Sequence, residues 1–212
     1  MTEEKYSFRN LRRHTEATHV EAASVIKRSE AQLEEAFSKF SSFISAVFEQ
    51  PCSLERNVRL VLACRFLNHV YSGLLLAEDG LFADAVVCER SALETLAAYR
   101  LLCLRPTVAE QYAKGRFPRP VDVRRQLESA GFAGEAQQIR DLYSSASGIT
   151  HISRDSERFN LRWESSSDGH LLFGGSFYRG DFEEMVRFFC ALLQWFPIPL
   201  GNEPSEESAG QK

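Results

Sequence analysis

From Val25 to Phe48 the apolar residues fall into one stripe. Ile26, Leu33, Phe37, Phe40, Ile44 and Val47 recur at the spacing of an amphipathic helix, and Pro51 closes it. A second helix is predicted over Leu54 to Ala77, with Ser53 as its N-cap and Val58, Val61, Leu62, Val70, Leu74 and Leu75 turned to the core. The turn Glu78-Asp79-Gly80 leads into a third, Leu81 to Leu104, stopped by Pro106. Thr107 and Glu110 have capping-box spacing for a short helix that Gly115 ends. Two more helical stretches follow the stiff segment around Pro118 and Pro120, at about Val121–Ala130 and Gly134–Gly148.

Beyond Ser153 the period changes to two. Phe159, Leu161 and Trp163 alternate with polar residues, Ser167-Asp168-Gly169 supplies a turn, and Leu171 to Phe173 resumes, which predicts one β-hairpin at 158–174. The last helix, Phe182 to Phe196, carries Phe182, Met185, Val186, Phe189, Leu192, Leu193 and Phe196 on one face before Pro197 and Pro199 break it. The expected fold class is all-α: a bundle of about six helices with a small β-hairpin before the last. Residues 24–200 read as one domain, with a polar arm or frayed helix over 1–23 and a Glu- and Ser-rich, disordered tail over 201–212.

Composition narrows this picture. The chain has 212 residues, 44% of them hydrophobic and 16 of them Phe, which suffices for one sizeable core and not for two. A formal net charge of −4 speaks against broad electrostatic binding of nucleic acid, although a local basic patch for RNA stays open. Cys52, Cys64, Cys88, Cys103 and Cys190 form no CxxC pair and read as reduced core residues rather than disulfides or zinc ligands. The polar start, Met1 to Lys5, is unlike a signal peptide, and no run approaches the ~20 apolar residues of a membrane span, so the cytoplasm is the expected location. His14, His19, His69 and His170 make no metal-ligand spacing, and no phosphate loop or nucleophile elbow is present, so neither a metal nor a cofactor is expected.

Two places carry candidate chemistry. On the third helix Asp84, Ser91 and Thr95 form a narrow polar stripe, the expected solvent face. Arg90 and Glu94, one turn apart, fall instead among Val86, Ala97 and Leu101, with Glu89 and Arg100 on an adjacent strip. Buried charges are costly unless paired, so this pair either pins helices together or lines a pocket. The second place is Tyr143, Ser147, His151 and Ser153. If the helix persists, the first three share one face; otherwise Gly148 ends the helix and turns His151 inward. A histidine among hydroxyls can serve as a general base, although Ser-x3-His here lacks an orienting acid and an oxyanion loop. The expectation is one polar cluster of Arg90, Glu94, Tyr143, Ser147, His151 and Ser153, with His151 and Arg90 as the candidates for catalysis.

The strings Glu89-Arg90-Ser91-Ala92-Leu93-Glu94 and Tyr143-x3-Ser147-x3-His151-x-Ser153 resemble the Arg-Ser-x-x-Glu and Tyr-x3-Ser-x3-His-x-Ser motifs of an uncharacterised bacterial family of helical proteins, over roughly Leu60 to Asp155. That family resembles in turn the HEPN-like helical domains, some of which are RNases of toxin and antiviral systems and others inactive partners or nucleotide-binding modules. Active members carry Arg-x4–6-His and build the site across a dimer. Here Arg9 with His14, and Arg12 or Arg13 with His19, fit that spacing only at the extreme N-terminus. The resemblance implies a homodimer. Two functions compete: a non-enzymatic or regulatory helical module that takes a small polar ligand or a protein partner, and a metal-independent endoribonuclease using Arg90 with His151, or Arg9 with His14.

Overall fold

The structure, a computed structural model, describes residues 8–150, 161–163, 169–171 and 178–198. The first helix, α1, runs unbroken from Phe8 to Phe48. Thr18 and Ala22 are already buried on it, so residues 8–23 continue the helix that the apolar stripe starts at Val25. Helix α2 spans Leu54–Glu78 and begins where the Ser53 hydroxyl accepts the Arg56 amide at 3.1 Å, a cap worth about 1 kcal/mol. It ends at Asp79. Gly80 then adopts φ 79°, a left-handed conformation that glycine takes without a Cβ penalty, and α3 (Phe82–Leu104) packs back along α2.

Next come α4 (Val108–Ala113), α5 (Pro120–Ser129), α6 (Ala133–Thr150) and α7 (Arg179–Trp195). One local expectation fails for an identifiable reason. Thr107 has helical backbone angles, φ −60° and ψ −18°, and caps nothing, because an N-cap needs extended backbone to aim its oxygen at the first free amides. Of the two courses open at Gly148, the helix persists: α6 continues to Thr150. Seven helices among the described residues make the fold an all-α bundle. The three-residue segments β1 (Leu161–Trp163) and β2 (Gly169–Leu171) pair antiparallel, with Trp163 opposite Gly169. Gly169 is thus a ladder residue, not part of the expected turn. The rest of 158–174, and the tail 201–212, lie outside the described residues.

Helix α3 is the hub: it packs on α2 along one side and on α5 and α6 along the other, while α1 packs on α7 and α2. Where α1, α2, α3 and the end of α7 meet, five rings form one cluster. Phe196 lies 4.4 Å from both Phe66 and Tyr99 and 5.3 Å from Phe40, between ring centroids, and Phe43 closes the group at 5.8 Å from Tyr99. Close approach of α7 to α2 depends on Gly73, where an added Cβ would come within 2.8 Å of the buried Phe189 ring.

The outer side of α2 departs from expectation. Val61 and Leu75, assigned to the core, are 48% and 44% exposed, because α2 is apolar nearly all round and periodicity cannot choose its inner face. By length and composition this helix could cross a membrane, a run missed on reading the sequence, but here its inner side packs on α3. The cysteines also divide. Only Cys190 is buried; Cys52 and Cys64 are exposed, and all five are free thiols.

Candidate functional site

Arg90 and Glu94 do meet, with Arg90 Nε 3.5 Å from Glu94 Oε1, but the pair is not buried. Its side chains are 32% and 31% exposed. On an α3 covered by α2, α5 and α6, the strip carrying these residues falls at the seam between partners. Among the described residues the fully buried cation is Arg100, one of the two residues expected only beside the cluster: its side chain is 3% exposed and its Nε lies 2.7 Å from Glu135 Oε1. Thr95, expected on the solvent face, is buried, its hydroxyl donating to the Ser91 carbonyl at 2.8 Å. Exposed pairs contribute at most about 1 kcal/mol, so Arg90→Ala is expected to lower stability by no more than about 1–2 kcal/mol once its ring contact is included. Urea denaturation of the two proteins would measure this.

That ring belongs to Tyr143 on α6. The Arg90 guanidinium carbon lies 4.7 Å from the Tyr143 ring centroid, and Arg124 of α5 reaches the same ring, also at 4.7 Å. Burial first, then a hydrogen bond to Glu94, push the Tyr143 phenol above its ordinary range, so it stays a neutral donor to that carboxylate. Three helices thereby converge on the Tyr143 ring: α3 supplies Arg90 and Glu94, α6 supplies Tyr143 itself, and α5 supplies Arg124. Two guanidiniums on one ring are attracted by its quadrupole.

Helix α2 adds a fourth side. Arg65 donates through Nε to His69 Nε2 at 3.4 Å. Burial, followed by the charge of Arg65, holds His69 below the usual imidazole range against the opposing pull of Glu94. His69 is therefore neutral at neutral pH.

Glu94 also faces the other way. It lines a cavity of about 160 Å³ together with Arg65, Ser91 and Thr95, opposite a wall of Leu62, Ala98, Tyr112, Phe117, Pro118, Pro120 and Val123. The Ser91 and Thr95 hydroxyl protons are spent on carbonyls of their own helix, which leaves their oxygens as acceptors. The lining thus combines polar groups of both charge signs with apolar residues that include two prolines.

Of the expected cluster, Arg90, Glu94 and Tyr143 come together. Ser147 sits half-buried one turn further along α6; His151 and Ser153 lie outside the described residues. At the N-terminus Arg9 and His14 fall on the first turns of α1, Arg12 Nε stands 3.5 Å from Glu16, and His19 pairs with Asp79. Reading the sequence missed Arg65, His69 and Arg124. The first two carried a usable signal, since a charged residue and a histidine four apart on an apolar helix raise the same question as Arg90 and Glu94. Arg124, on a polar helix, carried none. Among the described residues no group of acids, histidines and cysteines could hold a metal ion.

Glu89, next to this cluster, is a second titratable feature. Burial pushes its carboxyl up to about 7 from 4.5. The folded state then keeps a proton that the unfolded chain releases, and stability falls as pH rises between those two values. Glu89→Gln, which mimics the protonated form, is expected to raise the melting temperature at pH 8 by several degrees and to change it little at pH 4; melts at the two pH values would show this.

No family model, characterised protein or solved structure matches this chain.

Proposed function

We propose that the protein is a non-enzymatic, regulatory helical module that binds a small zwitterion, such as a free amino acid, in the cavity beside Glu94. The observation that carries this reading is the double use of Glu94: one carboxylate joins the Arg90–Tyr143–Arg124 cluster to the wall of a cavity. Glu94 would take an ammonium, Arg65 a carboxylate, and Phe117, Pro118 and Val123 a short apolar side chain. The cavity is well below the ~300–1,000 Å³ of drug-sized sites, so the ligand is small. A ligand held by Glu94 would disturb its bond to Tyr143 and hence the seam between α3 and α6, which supplies a route from binding to shape.

We take the module to be cytoplasmic and bacterial and to act as a homodimer, with 158–174 forming one hairpin. The exposed stripe Leu54, Val61, Tyr71 and Leu75 along one side of α2 supports self-association.

Thermal melts with the free amino acids and their decarboxylated amines test the ligand. At least one amino acid should raise the melting temperature of the wild type and not of Glu94→Gln, with its amine less effective. No shift from any of them would contradict the reading.

The rival, a metal-independent HEPN-like endoribonuclease, gains one observation: a neutral His69 beside Arg65 and Glu94 has the protonation state a general base needs. Metal-free cleavage of single-stranded RNA that His69→Gln slows about a hundredfold would favour the enzyme.

A further inference from the structure

A second cavity, of about 370 Å³, opens at the C-terminal end of α3, between the second half of α1, the start of α2 and the residues after α7. Its apolar walls are Phe43, Leu104, Pro197 and Ile198; its polar lining is Arg59, Arg100, Tyr99 and Cys103. Every ionised group in that lining is a cation. The acids that balance them stand behind: Glu55 pairs with Arg59 from the preceding turn of α2, and Glu135 pairs with Arg100 from α6.

The donors are unequally used. Arg100 is the more fully used, since its Nη2 donates to the Trp195 carbonyl at 2.8 Å and its Nη1 to the Ile198 carbonyl, while its Nε stands 2.7 Å from Glu135 Oε1 as an ion pair without hydrogen-bond geometry. Arg59 pairs with Glu55 through Nη2 alone, and its Nε is buried with no hydrogen-bond partner among the described residues. A buried N–H left unpaired costs about 1–3 kcal/mol, more on a charged group, unless something accepts from it. Tyr99 and Cys103 are hydrogen-bonded to each other, and burial keeps both neutral. The cavity therefore offers donors and positive charge together with hydrocarbon walls.

We infer that this cavity binds a small carboxylic acid with an apolar chain or ring, its carboxylate accepting from Arg59 Nε and its tail lying against Phe43, Leu104 and Ile198. This site is independent of the one at Glu94. Its closest charges are cations, and a hydrogen bond to a charged group separates acid from amide by ~1.5–3 kcal/mol, about tenfold or more in affinity.

The test is an NMR titration of the arginine Nε–Hε signals of the full chain with octanoate and benzoate, against octanamide and inorganic phosphate, the Arg59 signal being assigned from Arg59→Lys. One of the two acids should shift the Arg59 signal with a dissociation constant below about 1 mM, and octanamide should bind about tenfold more weakly or worse. Ile198→Trp, at a position 55% exposed and hence tolerant of a larger side chain, should block the shift without changing the melting temperature. Octanamide binding as tightly as octanoate, phosphate matching both acids, or an Arg59 signal that no acid moves would each overturn the proposal.

Discussion

Arg100→Ala is expected to destabilise the fold by about 3–5 kcal/mol, the range for removing one partner of a buried ion pair. The side chain is 3% exposed and Glu135, which it leaves behind, is 16% exposed. Arg100 does more than neutralise Glu135. Its two terminal nitrogens also donate to the carbonyls of Trp195, the last residue of α7, which accepts the Ile198 amide as well, and of Ile198 just beyond it, where carbonyls lack the usual helical partners. Glu135→Ala should consequently cost less than Arg100→Ala, because it leaves that cap in place. Denaturant titration of both variants checks the order, and equal losses would mean that the cap contributes nothing.

Phe196→Ala is expected to cost a similar ~3–5 kcal/mol, as truncations of fully buried aromatic residues do. Phe196 is 0% exposed and touches the rings of Phe40, Phe43, Phe66 and Tyr99. It lies just past the last residue of α7, so it anchors that helix to α1, α2 and α3 at once. The loss should appear in equilibrium unfolding as a lower midpoint with an unchanged slope. A loss below about 1 kcal/mol would mean that the neighbouring rings collapse into the space.

Helices were legible in this sequence wherever one face was apolar and the other polar. The last helix shows it best: every residue assigned to its inner face, from Phe182 to Phe196, is buried. Legibility failed where that contrast vanished. On α2 apolar residues surround the axis, and Val61 and Leu75 were placed inward although they face out. On α3, covered by three partners, no single wet stripe exists; Thr95 is buried while Arg90 and Glu94 surface at a seam.

The cluster was legible in part for the same reason. Charged residues among apolar ones flagged Arg90 and Glu94, and Tyr143 was found through its own motif. Neither signal could bring Arg124 to the same ring or show that Glu94 borders a cavity, since both depend on how α5 and α2 approach α3. His151, the centre of the catalytic expectation, falls outside the described residues.

The double role of Glu94 is tested most directly by titrating the protein with the amino acid that stabilises it best, while recording the methyl signals of Ala98 and Val123 together with the Nε–Hε signals of Arg90 and Arg124. The methyl groups line the cavity, whereas the arginines stack on Tyr143 outside it. The account predicts that both sets move together with one dissociation constant, and that Glu94→Gln abolishes both responses. Movement of the arginine signals alone, with the methyl groups still, would place the ligand on the surface and contradict it.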